Sequence, residues 1–169
     1  NACDFCIRGY SHGVYNRGQD SAGILAFEQC SNNVFAENSA THGGDGFFSF
    51  AGKEALGETP PPAADFDYKR RGCNENTFVN NDFSFAAAHG LELTFSFANR
   101  IHGNLFERNA ICGIWGGYAQ LFVITDNDFV ANGDAGYGAE RGGINIEHGR
   151  DNIVLGNRFT QNTCGVHLW

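Results

Sequence analysis

One motif occurs twice at full length in this chain, and that repetition restricts the fold more than any other feature. Residues 99–109 and 152–162 both read N-x-φ-x-G-N-x-F-x-x-N, with Ile101 or Val154 as the apolar φ, and each is followed by a Gly-Ile or Gly-Val pair. Residues 76–83 and 124–132 are weaker copies. With the second Asn as marker, Asn38, Asn81, Asn104, Asn127 and Asn157 stand at steps of 43, 23, 23 and 30, and Asn16 extends the series at a step of 22. The glycines that open the following segment, Gly23, Gly46, Gly90, Gly113, Gly143 and Gly165, step by 23, 44, 23, 30 and 22. Both markers report one period near 23, interrupted by insertions at about 52–72 and 133–141.

A period of this length holds two or three short strands and no helical repeat. Composition agrees. There are 23 Gly and 16 Phe but no Met, and the 3 Pro are adjacent; Gly and Asn are costly inside helices and suit tight turns between strands. A leucine-rich repeat has a similar length but needs a Leu consensus that is missing here. The fold class expected is therefore all-β: a parallel β-helix solenoid of about six to seven coils, stacked about 4.8 Å apart, forming one domain over 1–169. Stacking then makes columns. Phe83, Phe106, Phe129 and Phe159 share one coil position and should form an interior pile, as should Phe35, Phe78, Ile101, Ile124 and Val154. The Asn column should sit at turns, each amide bonding the Asn of the next coil.

The N-x-φ-x-G-N-x-F-x-x-N unit with its Gly-Ile resembles the right-handed parallel β-helix repeat of pectate lyases, polygalacturonases, alginate epimerases and periplasmic copper-site maturation proteins, and of secreted bacterial β-helix proteins. The resemblance runs from Ser11 to Trp169. It implies a right-handed coil and, by analogy, action on a polysaccharide. The family motifs carry over poorly. No Asp precedes a Pro, which excludes the epimerase Asp-Pro-His, and only Glu147-His148-Gly149 and Arg100-Ile101-His102 echo polygalacturonase residues.

Several partner classes are disfavoured. With 11 Lys+Arg against 19 Asp+Glu the net charge is -8, so phosphate backbones and anionic membranes would be repelled. No apolar run reaches the roughly 18 to 20 residues that span a bilayer, and the first residues lack a signal-peptide pattern. Lacking an initiator Met, the sequence reads as a processed chain or a segment of a longer solenoid. Its last residues lie inside an apparent strand without a capping helix.

Candidate chemistry sits on the strand that each repeat glycine opens. Alternation puts positions one and three after Gly inward and positions two and four outward. The outward columns are Leu25, Phe48, Glu92, Trp115, Asn145, His167 and Phe27, Phe50, Thr94, Gly117, Glu147, Trp169. Aromatic platforms beside carboxylates and amides suit a sugar ring. Phe48, Trp115, Asn145, His148 and His167 are accordingly the expected substrate contacts. Glu92 and Glu147, with Cα atoms about 12 Å apart, are the expected catalytic pair of an inverting hydrolase. Asp45 and His89 share the position before the repeat Gly in consecutive coils, about 5 Å apart, and form a second candidate acid–base pair. The insertions would wall the cleft, and Lys53, Lys69, Arg70 and Arg71 would favour an acidic sugar. No spacing is a recognised metal signature, so neither metal nor cofactor is expected. Cys30 and Cys73 occupy one column and should form a disulfide or at least touch, whereas Cys112 and Cys164 are a coil too far apart.

The expectation is a secreted, periplasmic or cell-surface carbohydrate-active protein, a polysaccharide hydrolase or lyase. The rival is a non-catalytic structural or adhesin-like solenoid belonging to a larger surface protein.

Overall fold

A computed structural model describes residues 1–7, 21–55, 59–60, 63 and 71–169. Asn16, Pro61, Pro62, Lys69 and Arg70 lie outside the described residues. Strands alone form the regular structure among those described, in three parallel sheets. Six strands make the longest sheet: β1 (Ala22–Phe27), β3 (Asp45–Phe50), β5 (His89–Leu93), β8 (Cys112–Gly117), β11 (Gly142–Glu147) and β14 (Val166–Leu168), adjacent in that order. A second holds β2 (Val34–Ala36), β4 (Thr77–Val79), β6 (Arg100–His102), β9 (Val123–Thr125) and β12 (Ile153–Leu155). The third holds β7 (Leu105–Glu107), β10 (Asp128–Val130) and β13 (Arg158–Thr160). Each coil passes through the sheets in turn, so every strand pairs with its counterpart one coil away. The result is a parallel β-helix.

The observed register is the one the repeat requires. Phe78 pairs with Ile101 and Ile101 with Ile124, while Phe106 pairs with Phe129 and Phe129 with Phe159. The interior pile forms: Phe106 and Phe129 stack at 4.8 Å and 4°, Phe129 and Phe159 at 5.0 Å and 8°, and Phe83 tilts against Phe106 at 5.9 Å. Burying each such ring contributes roughly 1.5–3 kcal/mol.

The corners explain the polar half of the motif. Asn38, Asn81, Asn104, Asn127 and Asn157 form a ladder in which the backbone N–H and side-chain amide of one Asn donate to Oδ1 of the next at 2.8–3.0 Å. The last Asn of the motif builds a parallel ladder through Asn109, Asn132 and Asn162. The residue before each ladder Asn has a left-handed φ, as at Asn80 (53°), Gly103 (66°), Asp126 (55°) and Gly156 (70°). That conformation costs a side-chain-bearing residue about 1–2 kcal/mol, which is why the full-length motif carries Gly before its second Asn. Where it carries Asn or Asp, the ladder bonds hold the turn.

The expected Cys30–Cys73 bridge is corrected. The register brings the two residues together, and Cys73 is buried beside Cys30 and Ser49, yet both thiols are free. The Cys30 thiol donates to the Phe27 carbonyl at 2.8 Å, so only the contact forms.

Candidate functional site

The outer face of the six-stranded sheet is shaped by its glycines. A Cβ on Gly90 would meet the Phe83 and Gly113 carbonyls at 2.6 and 2.8 Å, and one on Gly143 would meet the Phe159 ring at 2.9 Å. The glycine therefore faces inward, and so does the fully buried residue after it, Leu91 or Ile144. Two consecutive inward positions break the alternation. The residue before the glycine returns to the outer face together with the residue two after it, and Asp45, His89 and Glu92 converge there.

These three residues and Glu140 form one polar cluster. The His89 backbone N–H donates to Asp45 Oδ1 at 2.9 Å. Its ring Nδ1 lies 2.8 Å from Glu92 Oε2 and 3.3 Å from Asp45 Oδ1, and Nε2 lies 3.2 Å from Glu140 Oε2. Trp115 lies over the imidazole at 5.9 Å and 25°, and Cys112 is its register partner in the next coil. Asp45 is 0% and His89 1% exposed. Burial opposes a charged imidazole, but the negative charge of the surrounding carboxylates outweighs it and holds the His89 pKa well above the usual histidine value. Burial pushes the Glu92 carboxyl up to about 7 against the pull of His89. Burial also pushes the Cys112 thiol up to about 12. With both ring nitrogens protonated, His89 donates to Glu92 on one edge and Glu140 on the other.

Several expected positions differ from an open face. Phe48, Glu92 and Asn145 are buried rather than solvent-facing; the 133–141 insertion reaches this face through Glu140, which meets His89, and Ala139, which meets Asn145. Asn145 is 0% exposed; its amide nitrogen is bonded to the Ala139 carbonyl and His167 Nδ1, while its oxygen accepts from Trp169 Nε1. Glu92 stands in register with Trp115, and Trp115 with Asn145, as the repeat requires. Its carboxylate, however, turns to His89 and leaves Glu147 to a separate group. Asp45 and His89 do meet. Arg71 forms an ion pair with Glu28, which removes it from the positive patch expected of the longer insertion.

The accessible chemistry lies at the C-terminal ends of the strands. Glu147 is 21% exposed, with its Oε1 3.5 Å from Nδ1 of His148, itself 59% exposed. His148 stacks on Tyr118 at 5.2 Å, Tyr118 stacks on Phe95 at 4.5 Å, and Trp169 meets His148 edge-on at 6.4 Å. Phe95, Tyr118 and His148 each occupy a left-handed turn position, φ 43°, 58° and 49°. At the opposite, N-terminal ends of β11 and β14 the shorter insertion borders an open recess of about 340 Å³ lined by Asp134, Tyr137, Arg141 and Thr163 among others.

Sequence reasoning missed Glu140, Cys112 and the Phe95–Tyr118 stack. The stack carries a signal, since Phe95, Tyr118 and His148 recur at steps of 23 and 30 like the markers. Cys112 could have been aligned with His89 in the same way. Glu140 could not, because an insertion has no partner column to fix its register.

Residues 66–169 match a family model described as the right-handed β-helix region. No curated protein and no solved structure matches the chain.

Proposed function

The chain belongs to the right-handed β-helix family, and from that premise we propose that it is a carbohydrate-active protein, binding a polysaccharide across the exposed C-terminal ends of the strands of the six-stranded sheet and cleaving it with Glu147 as the acting carboxylate. The observation that carries this reading is the Glu147–His148 contact beside the ring stack of Phe95, Tyr118 and His148. A sugar stacks its C–H face on aromatic rings while carboxylate and imidazole take its hydroxyls. A carboxylate beside an imidazole is suited to proton transfer at a glycosidic bond. Such a substrate fits a protein that is secreted, periplasmic or on the cell surface.

A second reading, a non-catalytic structural or adhesin-like solenoid, is favoured by one observation. Asn145 and Glu92, which an open sugar-binding face would present, are engaged in internal hydrogen bonds. One experiment separates the two. The full chain is incubated with neutral and acidic polysaccharides, following reducing ends, unsaturated uronate absorbance and retention on the glycan. Turnover that is lost in Glu147→Gln while glycan retention persists supports the enzyme, and the unsaturated product distinguishes lyase from hydrolase. Retention without turnover in the wild type makes it a binding module. Absence of both assigns it to structure.

A further inference from the structure

The buried cluster on the sheet's outer face has more polar capacity than its own residues satisfy. Asp45, His89 and Glu92 each present one ligand atom, and these three atoms all lie within 4.8 Å of one another. Asp45 is fully buried, yet its Oδ2 has no hydrogen-bond partner, a costly state for a charged oxygen. Among the described residues no Lys or Arg pairs with Asp45 or Glu92; the cationic group at the cluster is His89. Three carboxylates around one imidazole leave surplus negative charge where water scarcely reaches. A dication beside the Asp45 carboxylate would remove that surplus, and a carboxylate spanning the ion with both oxygens would give Oδ2 its partner.

We propose that Asp45, His89 and Glu92 form a binding site for a divalent transition cation of the zinc class, with Glu140 orienting the histidine. A four-coordinate ion with bonds of about 2.0–2.1 Å has donor-to-donor edges of about 3.3 Å. Nδ1 of His89 stands 3.3 Å from Asp45 Oδ1 and 2.8 Å from Glu92 Oε2, so a small outward shift of the Glu92 carboxylate admits the ion. The ion takes the place of the Nδ1 proton. Nε2–H remains free to donate to Glu140 Oε2, now 3.2 Å away, the carboxylate–histidine–metal arrangement that fixes ring orientation and ligand basicity. One imidazole and two carboxylates suit zinc better than calcium, which collects six to eight oxygens. Three protein ligands leave a fourth position for water or an anion. Trp115, stacked on His89, carries a buried Nε1–H that has no acceptor of its own. The site is independent of the carbohydrate reading, because it would order the sheet face equally in an enzyme or a structural solenoid.

The full chain, stripped with a chelator and kept reduced with a phosphine, is titrated with zinc chloride by calorimetry and with Co²⁺ by visible absorption. The expected result is one zinc per chain, a raised Tm, and a four-coordinate cobalt spectrum without thiolate charge transfer. Asp45→Asn and His89→Gln abolish binding. Glu140→Gln weakens it by about 10- to 100-fold, as loss of an orienting group does. Asp128→Asn, at a surface acid paired with Arg158, leaves it unchanged. Circular dichroism checks that each variant keeps its sheet, and Glu92→Gln replaces any that does not. Three results overturn the proposal: no saturable zinc binding by the wild type, equal affinity in the folded ligand variants, or a thiolate band showing that cysteines hold the ion.

Discussion

His89 Nδ1 and Glu92 Oε2 meet at 2.8 Å although the two residues stand three apart on one strand, a spacing that in a flat strand sends side chains to opposite faces. Gly90 reconciles the two facts. It turns its missing side chain into the interior, the next residue follows it inward, and the strand's alternation shifts by one between His89 and Glu92.

Gly90→Ala tests that dependence. The new methyl would meet two backbone carbonyls, of Phe83 and Gly113, at 2.6 and 2.8 Å, and the Asn109 amide at 2.8 Å. Neither carbonyl can retreat without breaking the coil. A loss of about 2–4 kcal/mol is expected, read by denaturant midpoint, together with a changed His89 ring shift by NMR. A neutral substitution would show that the glycine is not what bends the strand.

Phe106→Ala should cost about 3–5 kcal/mol. Its ring is fully buried between Phe83 at 5.9 Å and Phe129 at 4.8 Å, in register with strands above and below, so neighbouring coils cannot collapse into the cavity independently. Chemical denaturation at constant m-value checks it. Phe159→Ala, at a partly buried ring in the outermost described coil, should cost less.

The fold was legible because a solenoid writes its tertiary contacts as a sequence period. Asn81, Asn104 and Asn127 repeat at 23 since each bonds the next, and Phe106 and Phe129 repeat at 23 since each stacks on the next. The candidate site was legible only where it obeyed that period. Asp45 and His89 share a column and do meet. Glu92 lost its expected pairing with Glu147 because His89, on the other side of Gly90, shares its face and takes its carboxylate, while Glu147 lies beside His148. Glu140 comes from an insertion, where no column exists to align it. The burial of Asn145 follows from contacts with Ala139 and Trp169, which a column-by-column reading of one face does not contain.

Asn104→Ala should be nearly as damaging as a core truncation. Asn104 Oδ1 accepts from both the backbone N–H and the amide of Asn81, and its own amide donates to the Phe78 carbonyl at 3.0 Å and to Asn127 Oδ1. All these groups are buried, so removing the side chain strands two donors and a carbonyl, at about 1–3 kcal/mol each before any water enters. A net loss of about 2–4 kcal/mol is expected in equilibrium unfolding. Asn157→Ala, at a half-buried rung, should lose less, because water reaches the groups it exposes.

The N-terminal segment should detach in acid while the coils persist. Asp4 Oδ1 accepts from Ser39 Oγ at 2.6 Å, the Thr41 backbone N–H at 2.9 Å and Thr41 Oγ1 at 2.8 Å. These bonds, the Ser39 hydroxyl foremost, hold its pKa below the usual carboxylate value. A group whose folded pKa is depressed favours the folded state above its unfolded pKa of about 3.9, and loses that contribution as pH falls through the lower folded value. The same segment is tied down by Cys3 N–H to the Ser39 carbonyl and Phe5 N–H to the Thr41 carbonyl, so those two amides report its attachment. Their hydrogen-exchange protection factors should fall in that acid window, while the Phe106 and Phe129 amides of the central coils stay protected. In Asp4→Asn the two amides should be weakly protected at every pH, with the acid-dependent step gone; a step of unchanged size in that variant would assign the attachment to another group.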